Sequence, residues 1–130
     1  MKKVWTIALS LMVVAIAGLL VFYLFPKSTP SSSYEVAISI YGKDQNLLYD
    51  KELTTDNNNL LAILESLSEI NLVTEKGQYG AFITSLMGQS QGDDYYWIYY
   101  VNGDYATVGV ENYSINNQDK VEFRLEKYQE

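Results

Sequence analysis

The chain has 130 residues and contains neither cysteine nor histidine, which excludes disulfide bonds, thiolate zinc sites and the commonest general base and metal ligand. Nine basic and sixteen acidic residues give a net charge of −7, so the chain is expected to repel nucleic acid and anionic lipid headgroups. An apolar N-terminal segment leaves about one hundred residues, enough for one modest domain.

The first part of the chain has the pattern of a membrane anchor. Residues 4–25 carry no charge, and as a helix they would span roughly 33 Å, enough to cross a hydrocarbon core. Lys2 and Lys3 precede this run, and positive charge stays on the cytoplasmic side. The sequence therefore predicts a single-pass signal-anchor transmembrane helix in residues 1–25 of a cell-membrane protein, with the following domain extracellular. A cleaved signal peptide is the alternative.

A short linker follows the apolar run. Residues 26–33 contain two prolines and five hydroxyl residues, a composition that does not build a core. We therefore place the extracellular domain at residues 34–130.

The domain begins with a predicted hairpin and a helix. Residues 34–41 alternate between apolar and polar side chains, which predicts a half-buried strand, and residues 47–53 predict its partner. Apolar residues then recur at helical spacing over residues 60–70, with Thr55 or Asp56 as the expected N-cap. The apolar face of this helix should pack on the sheet.

The second half of the domain is read as short strands and turns. We predict that a short strand starts at residues 72–73, followed by a glycine-containing turn at 75–80, a strand at 81–87 and a polar loop at 89–94. Alternation over residues 121–125 predicts the last strand. The fold class is therefore α+β, with a small, mostly antiparallel sheet and one packed helix.

An aromatic strand is predicted at residues 95–101, where aromatic and β-branched residues run without interruption. It ends at Asn102-Gly103, a pair that predicts a type I′ turn into a further strand at residues 105–108. Side chains alternate across a strand. One face should carry Tyr95, Trp97, Tyr99 and Val101, and the other Tyr96, Ile98 and Tyr100.

Aromatic side chains are the best candidates for ligand contact, because tyrosine and tryptophan combine flat apolar area with a hydrogen-bonding tip. Trp97 and Tyr99 are expected to contribute mainly to the core. Tyr79, Phe82, Tyr96 and Tyr100 should be more exposed. The candidate ligand-binding residues are Tyr79, Phe82, Tyr96, Trp97 and Tyr100.

Four carboxylates, Asp93, Asp94, Asp104 and Glu111, fall near the predicted ends of hairpin strands. They could form a weak cation site, since hard cations take oxygen ligands. We favour an exposed acidic rim, and we assign no catalytic residue, no metal site and no cofactor. The lack of histidine and cysteine also argues against an enzyme.

Three stretches of the sequence resemble a known family. They are residues 79–86, residues 96–103, and the pattern Gly109-Val110-x-x-Tyr113-x-Ile115-x-x-x-Asp119-x-Val121-x-Phe123. Together they resemble the transcobalamin-like C-terminal domain, a domain of unknown function in surface proteins of Gram-positive bacteria. The resemblance implies a small β-grasp-like domain and makes cobalamin a candidate ligand. Gln118 stands where the family usually has glycine, so this turn must accept a side chain.

These observations lead to two hypotheses of function. The first is a membrane-anchored, extracellular, non-catalytic binding module at the cell surface, with a cobalamin-like small ligand as one candidate. The alternative is a structural or protein-interaction domain that is an accessory to a membrane transporter or a cell-wall complex. The expected partners are the membrane, through the N-terminal helix, and a small molecule or a surface protein, but no nucleic acid.

Overall fold

The computed structural model describes residues 32–129. The predicted transmembrane helix and most of the predicted linker lie outside these residues. Within the described part, no helix combines the length and the apolar character needed to cross a bilayer.

The described residues are mostly β-structure with a small helical content. They contain one α-helix, α1 (Leu60–Glu65), and two short 3₁₀ helices, Ser68–Ile70 and Val110–Asn112. The strands are β1 (Tyr34–Tyr41), β2 (Leu47–Thr55), β3 (Val73–Gly77), β4 (Gly80–Leu86), β5 (Gln89–Ser90), β6 (Tyr95–Val101), β7 (Asp104–Tyr105) and β8 (Asp119–Lys127).

The strands form two sheets, where the sequence predicted one. The large sheet has the order β2-β1-β8-β6-β7, and the small sheet has the order β3-β4-β5. All neighbouring strands are antiparallel except β1 and β8, which run parallel from the pair Val36 and Asp119 to the pair Tyr41 and Arg124. The predicted, mostly antiparallel arrangement is therefore confirmed.

One hydrophobic cluster joins both sheets and the helix. It contains one face of the large sheet, because alternate residues of β1 and β8 are buried. Each fully buried aliphatic or aromatic side chain of this kind contributes about 1.5–3 kcal/mol to folding. The cluster includes Val36, Ile38 and Ile40 on β1, Val121 and Phe123 on β8, Leu60, Ile63 and Leu64 on α1, and Ile83 and Leu86 on β4.

The helix is shorter than predicted and begins at a different cap. It has six residues, and its N-cap is Asn59, whose side chain accepts a hydrogen bond from the Ala62 backbone N–H at 3.0 Å. Thr55, one of the two expected caps, instead ends β2 opposite Tyr34. The side-chain amide of Asn59 also donates to the Glu111 carbonyl at 2.9 Å. Because Glu111 is far from Asn59 in the sequence, the local pattern did not identify Asn59 as the cap.

The apolar stripe nevertheless continues beyond the end of the helix. Ser66 donates its hydroxyl to the Ile63 carbonyl, and the chain then tightens into the 3₁₀ helix. Leu67 and Ile70 remain buried. The predicted spacing therefore identified the buried residues correctly, although α-helical geometry covers only part of the segment.

Three predicted boundaries are wrong, two on the small sheet and one at β7. Residues 75–77 belong to β3, so the turn is confined to residues 78–79, and Gln89–Ser90 pairs with β4 as β5. The strand expected at 105–108 is only the two-residue β7. These short segments are strands because of the partners they pair with, and local alternation does not reveal those partners.

The two predicted turn features are present. Asn102 and Gly103 have φ values of 51° and 85°, as a type I′ turn requires. Gln118 has a φ of 67°, so a residue with a side chain occupies the left-handed region that glycine would enter more easily.

A buried carboxylate, Asp119, connects three loops at one end of the large sheet. Only 4 % of its surface is exposed. Its Oδ1 accepts a hydrogen bond from the side-chain amide of Asn102 at 3.0 Å, and its Oδ2 accepts from the Tyr113 hydroxyl and the Asn116 N–H, each at 2.8 Å. Asn102 also accepts at Oδ1 from the Lys120 N–H at 2.9 Å. We call Asn102, Tyr113 and Asp119 the carboxylate node.

Replacing Asp119 with alanine should lower the free energy of unfolding by about 3 kcal/mol, because three donors lose a shared acceptor in a buried place. Urea unfolding followed by circular dichroism measures this change. The matched control is Asp104→Ala, which removes the same charge from an exposed position on β7 and should change stability by no more than about 0.5 kcal/mol. Equal losses in the two variants would contradict a special role for the node.

Burial also affects the ionisation of several tyrosines. It raises the pKa of Tyr99 to about 12, with a smaller contribution from nearby Tyr113. The pKa of Tyr113 rises to about 12 through burial, its hydrogen bond to Asp119 and the charge of that carboxylate. Burial and the hydrogen bond to Glu69 raise the pKa of Tyr49 to about 12.

An alkaline titration of the folded chain should therefore show a late wave of tyrosine ionisation near pH 12 from Tyr49, Tyr99 and Tyr113. Tyr49, Tyr99 and Tyr113 ionise at a lower pH in the unfolded chain than in the folded chain. The free energy of unfolding should thus be unaffected by them below about pH 10 and should fall as the pH rises towards about 12. Near-ultraviolet absorbance measures the wave. Tyr113→Phe should shrink this late wave, and its absence from the folded protein would refute the prediction.

Candidate functional site

The structure places the five predicted ligand-binding residues in three separate regions. Tyr96 and Tyr100 lie on the face of β6 that points away from the core. Trp97 lies on the opposite face of the same strand, where it packs against the core cluster. Tyr79 and Phe82 belong to the hairpin of β3 and β4 in the small sheet. The five residues therefore do not form one site.

The outer face of β6 and its neighbours carries a group of exposed aromatic side chains. We call Tyr96, Ile98, Tyr100, Tyr105 and Tyr128 the tyrosine face. Tyr105 lies directly opposite Tyr100, and their ring centroids are 6.0 Å apart. The rings of Tyr96 and Tyr128 are 6.3 Å apart. Tyr96, Tyr105 and Tyr128 are exposed over 47 %, 62 % and 64 % of their surfaces, so their rings are accessible to a partner.

The centre of this face is held by interactions within the chain. The Tyr100 hydroxyl donates to Glu126 Oε2 at 2.9 Å, and burial together with this hydrogen bond and the charge of Glu126 raises the pKa of Tyr100. The Arg124 guanidinium lies 4.0 Å from the centroid of the Tyr41 ring and bonds to Glu122 at 3.1 Å. The available rings are consequently at the two sides of the face.

Trp97 makes a contact that joins the two sheets. It is half-buried, and its indole N–H donates to the carbonyl of Gln89 on β5 at 2.9 Å. Tyr99, on the same side of β6, is buried, as the alternation predicted. Both side chains therefore support the core.

Tyr79 and Phe82 are exposed on the second hairpin, over 86 % and 42 % of their surfaces. The Phe82 ring packs close to Gly77, where a Cβ atom would lie 3.0 Å from the ring. This is a separate aromatic patch on the small sheet.

Two tyrosines of the tyrosine face, Tyr105 and Tyr128, were not among the predicted site residues. Tyr105 could have been found from the type I′ turn, because that turn places Tyr105 opposite Tyr100. Tyr128 continues the alternation of β8 by one further step beyond Glu126. The predicted last strand ended at residue 125, so this signal was missed.

The four carboxylates singled out in the sequence do not form a metal site. All four are exposed, and Glu111 Oε2 accepts a hydrogen bond from the Ala81 N–H at 2.7 Å. The described part of the chain contains no group of three acidic, cysteine or histidine residues that could hold a metal ion. Asp93, Asp94, Asp104 and Glu111 therefore do not come together in such a group.

A cavity borders the tyrosine face beside β7. Its volume is about 320 Å³, and Tyr105 lines it together with Val101, Ala106, Val108 and Tyr113. This volume is at the lower end of the range of small-molecule pockets. Val101 and Tyr113 pack against the core cluster on the Tyr99 side of the sheet, so only Tyr105 connects this cavity with the tyrosine face.

Comparison with known proteins gives a family and a fold. The model of a family described as a domain of unknown function, DUF4430, matches residues 57–127. No curated protein matches the chain. The family match, together with the structural neighbours below, confirms the resemblance to the transcobalamin-like domain.

Two solved structures share the fold. A candidate metal-binding protein from Ruminococcus gnavus has a TM-score of 0.67 and 22 % identity, with 74 % of this chain and 99 % of that chain covered. Haptocorrin in complex with Cbi has a TM-score of 0.68 and 23 % identity, with 76 % of this chain covered. This chain spans about a quarter of the length of haptocorrin, 26 %. At these identities the likeness shows the fold alone.

Proposed function

Since the chain belongs to the DUF4430 family of domains of unknown function, we propose a role from its surface: a non-catalytic binding module that uses the tyrosine face as its contact surface. One observation carries this proposal. Three tyrosine rings on one sheet face, those of Tyr96, Tyr105 and Tyr128, are each about half or more exposed.

Such a surface suits binding for a physical reason. Tyrosine offers a flat apolar ring and a polar hydroxyl, and aromatic residues are enriched at contact surfaces. Tyr96 and Tyr105 are also held by ring contacts with Tyr128 and Tyr100. Less side-chain freedom is then lost on binding, which favours affinity.

A cobalamin-like small molecule is the ligand candidate that the comparisons support. Haptocorrin, which shares the fold, has been crystallised with Cbi. The module would act without catalysis, because the chain contains no histidine or cysteine and the Tyr100 hydroxyl is committed to Glu126.

We also propose that the module is anchored in the cell membrane by residues 1–25 and lies outside the cell. The uncharged run and the two lysines before it support this orientation. We further class the domain as β-grasp-like, because a helix follows the first hairpin and the first and last strands pair in parallel.

The binding proposal is tested by calorimetric titration of the full-length chain in detergent with cobalamin and with Cbi. Tyr96→Ala and Tyr105→Ala should each weaken binding by about tenfold, since a well-placed aromatic contact contributes on the order of 1 kcal/mol or more. Tyr79→Ala removes a still more exposed ring from the small sheet and should leave affinity unchanged. No heat at millimolar ligand would contradict the small-molecule proposal, and a loss confined to Tyr79→Ala would contradict the chosen surface.

The anchor is tested by adding protease to intact cells that produce the chain. The domain should be digested while a cytosolic protein stays intact, because the domain is expected outside the bilayer. Mass spectrometry of the undigested membrane-fraction protein should show that residues 1–25 are retained. A protected domain, or a mature N-terminus beyond residue 26, would refute the proposed anchor.

A further inference from the structure

Two rings of the tyrosine face meet nearly at a right angle beside a carboxylate. The planes of Tyr96 and Tyr128 are inclined at 81°, and their centroids are 6.3 Å apart. Glu126 lies directly across from Tyr96 in the pairing of β6 and β8. Because side chains alternate along β8, Glu126 and Tyr128 share the outer face with Tyr96. We call these three residues the aromatic corner.

The same sheet already shows that its tyrosine rings accept cations. The Arg124 guanidinium lies 4.0 Å from the centroid of Tyr41, and the Lys43 ammonium lies 4.5 Å from that of Tyr95. Both distances are within the roughly 6 Å over which a ring quadrupole attracts a cation.

The basic residues nearest to the aromatic corner in register are committed elsewhere. Arg124 is held by Glu122 and Gln45, each at 3.1 Å, as well as by the ring of Tyr41. Lys127 pairs with Tyr95 and so belongs to the opposite face of the sheet. The positive charge at the corner would therefore come from a ligand.

The charge of the domain favours a cationic ligand as well. All sixteen acidic residues lie after position 33, but only six of the nine basic residues do, which gives the domain a net charge of −10. A negative field of this size attracts cations from a distance and repels anions.

We propose that Tyr96, Tyr128 and Glu126 bind the alkylammonium group of a small ligand other than a corrinoid. Two rings at a right angle give the cation two aromatic faces. The Glu126 carboxylate accepts a hydrogen bond from the Tyr100 hydroxyl at Oε2 and supplies the counter-charge through its other oxygen, so this hydrogen bond stays in place. This inference rests on the proposed use of the tyrosine face for binding and goes beyond the corrinoid candidate, because the side chains of a corrinoid are neutral amides and carry no alkylammonium group.

The test uses choline as the probe and its uncharged isostere, 3,3-dimethylbutan-1-ol, as the comparison. The full-length chain is titrated at constant ionic strength while the ring resonances of Tyr96 and Tyr128 are followed by NMR. Choline should shift both rings, and the uncharged isostere should bind at least about threefold more weakly. Tyr96→Leu and Tyr128→Leu should each weaken choline binding by roughly two- to fivefold.

The matched control separates the corner from the general charge of the domain. Glu126→Gln should weaken choline binding by about threefold or more, whereas Glu75→Gln, which removes the same charge from exposed β3, should leave it unchanged. Urea midpoints close to that of the parent chain establish that each variant is folded.

Equal binding of choline and its isostere, or equal effects of Glu126→Gln and Glu75→Gln, would overturn the inference. So would the absence of any choline-dependent shift at Tyr96 and Tyr128. The corrinoid titration is an independent readout: if cobalamin or Cbi still binds and depends on Tyr105, the proposed function survives while the ammonium site does not. If neither probe binds, both fail.

Discussion

The structure at the end of the large sheet where β6 turns into β7 depends on the hydrogen bonds of the buried Asp119 carboxylate. A buried carboxylate is tolerated only when its oxygens are hydrogen-bonded, and its three donors come from the β6–β7 turn, the segment after the 3₁₀ helix and the turn before β8. Asn102, Tyr113 and Asp119 are also central positions of the motif that resembles the transcobalamin-like family. These three residues of the motif therefore have a role in stabilising the fold. The motif identifies the fold strongly and says little about the ligand.

The carboxylate node also determines which aromatic side chains reach the surface. Asn102 pairs with Lys120 through its backbone and its side chain, which helps to set the register of β6 on β8. A shift of one residue would turn every side chain of β6 to the other face. Tyr99 would then leave the core, and Tyr96 and Tyr100 would enter it. The tyrosine face is thus a consequence of a register that a buried charge stabilises.

Sequence reasoning succeeded where a structure depends on neighbouring residues. The bounds of β1 and β6 and the type I′ turn at Asn102 followed from alternation and from positive φ preference. Sequence reasoning failed where the local structure depends on a residue that is distant in the sequence. Asn59 caps the helix while it is hydrogen-bonded to Glu111. Strand β3 extends to Gly77 because β4 pairs with it. For the site, alternation separated Tyr96 from Trp97 correctly. It could not show that Tyr79 lies on another sheet or that Tyr128 completes the aromatic group.

The tyrosine face combines a centre that is internally bonded with sides that are not. Tyr100 is bonded to Glu126 and Tyr41 is covered by Arg124, so a ligand that displaced these contacts would have to replace a charge-assisted hydrogen bond and a cation–π contact. Tyr105 on one side and the pair of Tyr96 and Tyr128 on the other have exposed rings that require no such exchange. A partner that covers the bonded centre without breaking it and contacts both sides loses the least on binding. Such a partner would have to span the sheet from β7 to the end of β8, so an ammonium group alone would occupy only one end of this surface.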